Sequence, residues 1–372
     1  MTASSELLPA RERMHQDAPR ASRPIRFTAS GSEYFRIWLV NLALVVVTLG
    51  VYAPWARVRK LRYFYGHTLV FGSPLEFHAR PQRLMPAHAL AAVLLLAYTV
   101  AGEISTMAAL VSAALLAAVW PALSRSLLQL RLSNTSWRGL PFRFEGSLVD
   151  SYLAWLPFAA PFLIFSVLPA LDPGLGEWPA SAAQEGQPTF LAALGLGFLA
   201  LALFFSWGHW SLRRYQQANL SFGEWRSAFL VKGPGRFYAI AFTTGASMLG
   251  CIALLAFAVF VAIGLGASVR WIPWVLLALA AFAGTALFGA YAVARLQNLV
   301  WSNTRLGGAF ALRSELSAGA LAWLSAKNAL LVTCTLGLYW PFAAVARARM
   351  RLQSITVDAF VDPDDIASAK FP

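Results

Sequence analysis

Few side chains in this sequence are placed to carry out chemistry. Glu103 and Asp150 each lack the second carboxylate or the histidine at helical spacing that general acid–base catalysis would use. The two cysteines, Cys251 and Cys334, both lie in apolar stretches, and the sequence contains no Ser/His/Asp, nucleotide-loop or Cys/His metal pattern. We therefore expect a protein that is not an enzyme and that has no cofactor and no metal site.

The remaining polar candidates lie in two related segments near the ends of the chain. Residues 41–62 align with residues 328–349 at a constant offset of 287, and eleven of the 22 aligned positions are identical. Both contain Thr-Leu-Gly-x-Tyr-x-Pro, in which glycine permits unusual backbone angles and proline blocks helix continuation, so the pattern predicts a break in each helix. The predicted break and path positions are Asn41, Thr48, Gly50, Tyr52, Pro54, Asn328, Thr335, Gly337, Tyr339 and Pro341. For the two asparagines the alternative is a structural hydrogen bond between helices.

Basic residues follow each predicted break. The candidate residues for binding an anion or a lipid headgroup are Arg57, Arg59, Lys60, Arg62, Arg347 and Arg349. The second segment has Ala344 and Ala346 where the first has Arg57 and Arg59. If both segments bind the same partner, we expect the second to bind it less tightly.

Composition indicates a membrane protein. Of 372 residues, 58% are apolar and 13% are charged, whereas about 25% are charged in an average soluble protein. Eight apolar stretches come close to the length that crosses a bilayer: residues 34–55, 85–101, 104–123, 152–171, 190–207, 237–266, 271–293 and 321–345. The net charge of +13 does not indicate a nucleic-acid partner, because the basic residues lie between these stretches.

The positions of Lys and Arg predict the side of the membrane on which each linker lies. The linkers after the second, fourth and sixth stretches together hold one of the 30 basic residues. Because basic loops are retained in the cytoplasm, the six central stretches should form three hairpins, with both termini cytoplasmic. The first and last stretches have basic segments on both sides, so we expect each to enter the membrane and return to the same face. The alternatives are an ordinary span that violates the charge rule, or a helix that lies in the interface.

The predicted fold class is an all-α polytopic membrane protein. It has six transmembrane helices in three hairpins plus two terminal re-entrant or broken helical elements, or else eight helices. Residues 1–33 are predicted to be a flexible cytoplasmic tail, without the apolar core of a cleavable signal peptide. Residues 34–350 form the membrane domain, with a pseudo-repeat at 34–62 and 321–349, and residues 351–372 form a cytoplasmic tail.

Four cytoplasmic loops share a weaker pattern, in which aromatic residues alternate around a turn. The loops are residues 66–77, 133–144, 218–223 and 302–310. Such alternation is typical of a short β-hairpin. The four hairpins either pair into a small sheet that covers the cytoplasmic face, or stay separate with their aromatic side chains on the lipid headgroups.

The terminal motifs also resemble a known family. The segment from Glu33 to Thr68, the loop Trp301-Ser302-Asn303-Thr304 and the closing segment from Thr335 to Pro341 resemble the YjgN-like family of bacterial inner-membrane proteins. The resemblance implies an integral protein of a Gram-negative inner membrane. It implies no particular activity and no catalytic residues, because the family is a domain of unknown function.

Two functions fit these observations. In the first, the protein is a transporter or channel for an anionic or small polar solute, with a path lined by the two Thr-Leu-Gly-x-Tyr-x-Pro elements. In the second, it is a non-catalytic membrane scaffold or lipid-interacting protein whose arginines bind anionic headgroups. Both functions imply the lipid bilayer, including anionic lipids, as the partner and exclude nucleic acid. The oligomeric state is left open.

Overall fold

The structure, a computed structural model, describes residues 18–171, 188–264, 287–364 and 366. The helices are α1 (Gly31–Val47), α2 (Ala53–Gly66), α3 (Met85–Ile104), α4 (Thr106–Ser133), α5 (Leu148–Leu171), α6 (Pro188–Ala218), α7 (Gly235–Gly264), α8 (Gly289–Trp301), α9 (Ala318–Cys334) and α10 (Trp340–Gln353). The strands are β1 (Ala21–Pro24), β2 (Arg26–Phe27), β3 (Thr68–Val70), β4 (Ser73–Phe77), β5 (Thr135–Trp137), β6 (Leu140–Phe144), β7 (Leu220–Phe222), β8 (Trp225–Phe229), β9 (Thr304–Leu306), β10 (Phe310–Ser314) and β11 (Ile355–Ala359).

The eleven strands form one antiparallel sheet that closes into a ring. Their order is β1-β11-β10-β9-β8-β7-β6-β5-β4-β3-β2. The two ends of the sheet meet because β1 and β2 are consecutive parts of one extended segment: β1 pairs with β11, and β2 pairs with β3. Between them, the amide of Ile25 donates to the carbonyl oxygen of Ile355 at 2.9 Å. Closure of this kind pairs the strands that would otherwise be exposed edges.

The four predicted β-hairpins are confirmed as β3–β4, β5–β6, β7–β8 and β9–β10. Each pairs with the next, through β4–β5, β6–β7 and β8–β9, so the structure has the first of the two alternatives, a shared sheet, and not separate loops. Two of the turns have two central residues with positive φ, at Phe71–Gly72 (48° and 83°) and Arg138–Gly139 (50° and 82°). Two successive positive φ angles define the type I′ turn, whose twist matches that of the flanking strands.

Each even-numbered helix ends where a strand begins. Asn134, Asn219 and Asn303 donate from Nδ2 to the carbonyl oxygen four residues earlier, at 2.7, 2.8 and 2.7 Å. At the end of α2 the equivalent residue is His67, whose Nδ1 lies 2.7 Å from the carbonyl oxygen of Tyr63. These bonds satisfy carbonyl groups that the last turn of a helix leaves without a partner. The chain then enters the sheet at the next residue.

The even-numbered helices form an inner ring that continues from the sheet. Each neighbouring pair shares a hydrophobic cluster. The clusters join Tyr65 of α2 to Leu130 of α4, Leu128 of α4 to Tyr215 of α6, Trp210 of α6 to Val300 of α8, Ala294 of α8 to Met350 of α10, and Val345 of α10 to Tyr63 of α2. Because the last contact returns to α2, the five helices surround a common axis.

Aromatic and aliphatic side chains pack together on the sheet. The buried members of this cluster are Trp137, Phe222, Ala309, Phe310, Val357, Ala359 and Ile366. The chain after β11 crosses to the β5–β6 turn, where Arg138 donates to the carbonyl oxygen of Pro363 and pairs with Asp364 at 2.9 Å. The segment after β11 is therefore packed against the sheet.

The predicted all-α fold class is wrong, because the described residues contain an eleven-stranded antiparallel sheet. The predicted number of transmembrane helices, six beside two terminal re-entrant or broken elements or else eight, is wrong as well. In the described ranges, two helices are long and apolar enough to cross a membrane: Met85–Ile104 and Val111–Ser133. Apolar length and the distribution of charge favour an all-α class, and no local pattern indicates β1, β2 and β11, the strands that extend the four β-hairpins into a closed ring.

Several predicted stretches have different limits in the structure. The stretch 34–55 is divided between α1 and α2, and the stretch 321–345 is divided between α9 and α10. Most of the stretch 271–293 lies outside the described residues, as do residues 1–17 and 367–372 of the predicted tails. Residues 1–33 include β1 and β2, and residues 351–372 include β11.

Candidate functional site

The first Thr-Leu-Gly element forms a tight turn between α1 and α2. Thr48 Oγ1 donates to the carbonyl oxygen of Leu44 at 2.7 Å and accepts from the amide of Tyr52 at 3.0 Å. The amide of Gly50 donates to the carbonyl oxygen of Val45 at 2.8 Å. Leu49 and Gly50 have positive φ angles of 49° and 90°. The predicted break is present, and its polar groups are bonded within the turn itself.

The second element, between α9 and α10, has the same conformation. Thr335 Oγ1 donates to the carbonyl oxygen of Leu331 at 2.7 Å and accepts from the amide of Tyr339 at 3.0 Å. Leu336 and Gly337 have φ angles of 50° and 92°. Both turns place a leucine in the left-handed region, where a side chain is rarely tolerated. The motif predicts unusual angles for its glycine alone, and nothing in the sequence indicates positive φ angles at the two leucines.

The hydroxyls of Thr48 and Thr335 serve the turns rather than a path for a solute. Each makes one bond as donor and one as acceptor to the backbone of its own hairpin. A hydroxyl has one hydrogen to donate, so neither can also donate to a passing solute without opening its turn. This geometry does not support the predicted path along the two elements.

The tips of both hairpins are apolar and exposed. Leu49 is 94% exposed and Leu336 is 95% exposed. Large exposed apolar side chains continue from the tips along the helices: Leu39, Val40, Leu42, Leu44, Val46, Val47 and Val51 in the first hairpin, and Leu330, Leu338 and Trp340 in the second. A contiguous apolar surface of this kind marks a site of contact with a membrane or a partner.

The prolines and tyrosines of the motif fix the second helix of each hairpin. Pro54 and Pro341 lie in the first turn of α2 and α10, where the absence of an amide proton costs nothing, and both are buried. Tyr52 stacks on Trp55 with ring centroids 5.9 Å apart, and Tyr339 stacks on Phe342 at 5.4 Å. These residues have structural roles.

The two predicted asparagines are both buried, but they differ in their partners. Asn41 is 7% exposed, and its Oδ1 accepts from Nη1 of Arg59 at 3.4 Å. Asn328 is 2% exposed, and its Nδ2 has no hydrogen-bond partner. Residue Ala346 occupies the position that aligns with Arg59. For Asn41 the structural alternative, a bond between helices, agrees with the geometry.

The six predicted basic residues fall into two groups. Three of them donate hydrogen bonds within the protein: Arg59, Arg62 and Arg349. Arg59 donates to Oδ1 of Asn41 at 3.4 Å, and Arg62 donates to the carbonyl oxygens of Phe77 and Ala79 at 3.4 and 3.5 Å. Arg349 donates to the carbonyl oxygen of Ala29 at 2.6 Å. The other three are exposed and lie outside the hydrogen bonds and ion pairs of the described residues: Arg57, Lys60 and Arg347. Lys60 Nζ lies 5.9 Å from the centroid of the Phe64 ring. These three cations are available to an external anion.

The hairpins pack against each other through α1 and α10. The rings of Phe35 and Phe342 are 5.7 Å apart, and a Cβ atom added to Gly31 would lie 2.6 Å from Cδ1 of Phe342. This close approach requires glycine, and sequence analysis gave no sign of it, since the two residues are far apart in the chain. The structure therefore brings the two terminal motifs together.

Two buried tyrosines support the base of the first hairpin. Tyr63 accepts from the amide of Ser30 at 3.0 Å, and its hydroxyl also lies 3.0 Å from Oε2 of Glu33. Burial raises the pKa of Tyr63 to about 12, and the bond to Glu33 adds to this effect. Burial also raises the pKa of Tyr34 to about 12. Its ring stacks on that of Tyr63 at 5.7 Å. Both hydroxyls are therefore neutral at ordinary pH.

The family described as "Bacterial protein of unknown function (DUF898)" matches residues 22–371. The chain is similar to "Inner membrane protein YjgN" of Salmonella typhimurium, at 31% identity over 143 residues, which are 38% of this chain and 36% of that protein. It is also similar to "Inner membrane protein YjgN" of Escherichia coli K12, at 39% identity over 51 residues, or 14% of this chain and 13% of that protein. The aligned part thus covers about a third or less of each relative. The YjgN-like resemblance seen in the terminal motifs is confirmed, and no solved structure matches the chain.

Proposed function

This chain belongs to the DUF898 family of bacterial proteins of unknown function, and we propose that it is a non-catalytic, lipid-interacting protein of the bacterial inner membrane. Its two terminal hairpins insert their apolar tips into one leaflet and bind anionic headgroups with the cations behind the tips. The names of its relatives and two helices of spanning length and apolarity support the location.

One observation is the main support: the leucines at both tips are about 95% exposed although their turns satisfy their own polar groups. A leucine side chain exposed to water contributes no stabilisation, whereas its burial in hydrocarbon lowers the free energy by about 1.5–3 kcal/mol. The left-handed angle at each leucine costs about 1–2 kcal/mol. The site tolerates this cost because the angle points a large apolar side chain outward at the end of the hairpin.

The dimensions of the hairpins fit one leaflet. In α1 the exposed apolar residues begin at Leu39 and continue to Val47, which corresponds to about 12 Å along the axis. Half of the hydrocarbon core of a bilayer is about 15 Å thick. The apolar part of the hairpin therefore reaches the depth of one leaflet and does not cross to the other.

The free cations lie where headgroups would be. Arg57 and Lys60 follow the start of α2 at Ala53 by four and seven residues, or about 6 and 10 Å. In α9 the exposed Lys327 precedes the tip residue Leu336 by nine residues, or about 13 Å. Long basic side chains extend toward the interface while their stems remain in apolar surroundings. Phosphodiester headgroups of anionic lipids are the matching ligands.

The sheet ring lies on one face of the membrane in this proposal. Both ends of the described chain belong to it, since β1 pairs with β11, and the two termini therefore lie on the same side. The β-hairpins and the helix ends next to the sheet are rich in arginine, which favours a cytoplasmic position of the sheet ring. A transporter or channel remains a prediction from sequence, and the bonded state of Thr48 and Thr335 gives it no support.

Depth measurements on labelled tips would test the proposal. The variant Cys251→Ala/Cys334→Ala provides a cysteine-free chain, into which Leu49→Cys, Leu336→Cys or Glu224→Cys is introduced. Glu224 is exposed at the β7–β8 turn of the sheet and serves as the control. We expect nitroxide labels at the two tips, in liposomes, to collide with oxygen and to be shielded from a water-soluble nickel complex. The control label should show the reverse, and nickel access at the tips equal to that of the control would disprove insertion.

A further inference from the structure

The sheet ring has an aromatic interior. Trp137 of β5 and Phe310 of β10 have ring centroids 6.1 Å apart, although the strands β6 to β9 lie between them in the sheet. The ring of Phe222, on β7, lies 5.8 Å from that of Trp137 and 6.4 Å from that of Phe310. Because these three strands are separated within the sheet, their aromatic side chains can meet only in its interior. The strands therefore enclose an apolar space.

The segment that follows β11 crosses one end of the sheet ring. The helices join the strands at one end, so the four β-hairpin turns lie at the other end, which we call the mouth. The amide of Phe360 donates to the carbonyl oxygen of Ala309, next to the β9–β10 turn, at 2.9 Å. Arg138, in the β5–β6 turn, donates to the carbonyl oxygen of Pro363. Residues 360–364 and 366, which we call the strap, thus lead over the mouth from β11 to the β5–β6 turn.

The strap places an aliphatic side chain among the aromatic ones. Ile366 is 4% exposed and belongs to the same buried cluster as Trp137, Phe222 and Phe310. Val361 packs against this cluster as well. Burial of an aliphatic side chain is favourable but has no direction, so a polar contact is needed to fix the register of the strap.

Arg138 supplies this polar contact. Its Nη1 group pairs with Oδ1 of Asp364 at 2.9 Å, and its Nε group donates to Oγ of Ser73 at 3.0 Å. The bond to Ser73 lies within the sheet ring, so it orients the guanidinium group independently of the strap. The amide of Asp364 donates to Oδ1 of Asp362 at 2.9 Å, a local bond that bends the strap at this point. An arginine oriented in this way is suited to bind a carboxylate.

One side of the strap is open to solvent. The side chain of Asp364 is 88% exposed, whereas that of Arg138 is 11% exposed. A cavity of about 170 Å³ lies beside the strap, and its lining includes Arg23 of β1, Phe71 of the β3–β4 turn and Asp362 of the strap. A short segment with few buried contacts opens at a lower free energy than the whole fold does.

We propose that the mouth of the sheet ring is a peptide-binding site for a partner protein, and that the strap occupies this site as an internal competitor. The site takes an acidic residue at Arg138 and, two residues later, a branched aliphatic residue in the aromatic interior. Asp364 and Ile366 have this spacing and fill both positions. A partner segment with the same pattern displaces the strap. The mouth lies at the end of the ring away from the helices, so the site stands or fails independently of the insertion of the helical hairpins.

Cysteine labelling in the full-length chain measures how well the strap covers the site. Ile366→Cys and, as the control, Glu224→Cys are introduced separately into the variant Cys251→Ala/Cys334→Ala. Glu224 is exposed at the β7–β8 turn. We expect a maleimide to react with Ile366→Cys at least about tenfold more slowly than with Glu224→Cys.

The probe is a peptide with the sequence of residues 360–370, FVDPDDIASAK. It should raise the labelling rate of Ile366→Cys in a saturable way and leave that of Glu224→Cys unchanged. The same peptide with Asp364→Asn should need a concentration about tenfold higher, because it lacks the carboxylate that Arg138 binds.

Arg138→Gln in the protein tests whether this arginine reads the peptide. The two peptides should act alike on this variant, since the partner of the carboxylate is absent. Arg226→Gln is the matched control: Arg226 pairs with Glu145 at 3.3 Å, and the preference for the aspartate peptide should persist. The proposal is overturned if Arg138→Gln keeps this preference.

Three other outcomes would also overturn the proposal. Ile366→Cys could react as fast as Glu224→Cys, or the peptide could leave its labelling rate unchanged. The third concerns Asp364→Asn in the protein, which keeps Arg138 and weakens only the strap, so it is informative even where Arg138→Gln fails to fold. We expect it to lower the peptide concentration that gives half of the effect, and an unchanged concentration would contradict competition between strap and peptide.

Discussion

Arg59 donates to the buried Oδ1 of Asn41 at 3.4 Å and so ties α2 to α1 in the first hairpin. The second hairpin has alanine in place of this arginine, and the Nδ2 group of Asn328 is buried without a partner. A buried amide group without a hydrogen bond costs about 1–3 kcal/mol. Two hairpins with the same turn therefore differ in the polar contacts that hold their helices together.

Replacing Asn328 with leucine should stabilise the protein. The substitution removes the unpaired amide and keeps a side chain of similar length, so we expect the free energy of unfolding to rise by about 1 kcal/mol or more. Asn41→Leu is the control, and it should lower stability because Arg59 then loses its acceptor. Thermal unfolding in nanodiscs measures both. Equal destabilisation by the two variants would mean that the Nδ2 group of Asn328 has a partner after all.

The tip leucines allow a test in which two effects have opposite signs. Asparagine tolerates the left-handed region better than leucine, so Leu49→Asn and Leu336→Asn should relieve about 1 kcal/mol of backbone strain. Loss of leucine burial in hydrocarbon costs about 1.5–3 kcal/mol, and burial of the new amide group in hydrocarbon adds a further cost. We expect net destabilisation in nanodiscs, measured by thermal unfolding. Leu49→Met should stay close to wild type, and a gain of stability in the asparagine variants would show that the tips are in water.

Contact between the two helical hairpins depends on the absence of a Cβ atom at Gly31. An added Cβ would lie 2.6 Å from Phe342, and overpacking of this kind typically costs about 1–3 kcal/mol. Gly31→Ala should therefore lower the unfolding temperature, and the second change Phe342→Leu should restore part of the loss. Gly66→Ala, where an added Cβ meets nothing within 4 Å, is the control and should be neutral or slightly stabilising. Equal effects at the two glycines would argue against this contact.

Alkaline pH should weaken the base of the first hairpin. The pKa of Tyr63 and of Tyr34 is about 12 in the folded protein, against 10.0 for the free side chain. Since the folded values are raised, the stabilisation is fully present below pH 10 and is lost as the pH rises through 12. Unfolding free energy measured against pH should show this fall, and it should be smaller in Tyr63→Phe. Tyrosinate absorbance appearing near pH 10 for every tyrosine would contradict the burial of these two.

Local features of the fold could be predicted from sequence. The Thr-Leu-Gly-x-Tyr-x-Pro breaks and the four β-hairpins follow from glycine, proline and alternating aromatic residues, whose effects act over a few residues. The Phe71–Gly72 and Arg138–Gly139 turns are examples, because each has glycine where a positive φ is needed. Asn41 was also recognised as a polar residue in an apolar segment, with a bond between helices as one of its two expected roles.

Long-range features could not be predicted in the same way. Arg23 pairs with Val357 and Ser22 donates to Asp358, yet no local pattern in either short strand indicates the other. The approach of Gly31 to Phe342 also depends on how distant helices pack. Hydropathy and charge describe each helix alone, so they favour an all-α class. A sheet follows from the sequence only as one of two alternatives for the four β-hairpins, and without β1, β2 and β11.

Closure of the sheet ring through β1 and β11 limits when, during synthesis of the chain, the ring can be completed. Among the described strands β1 leaves the ribosome first, but its partner β11 lies more than 330 residues later in the chain. The helices and the four β-hairpins must therefore be held in place while the ring is still open, and the final pairing can occur only after β11 has been synthesised. A nascent chain stopped before Ile355 would expose two unpaired strands, which invites pairing with other chains. Truncation before β11 should thus be far more damaging than the distance of β11 from the helical hairpins implies.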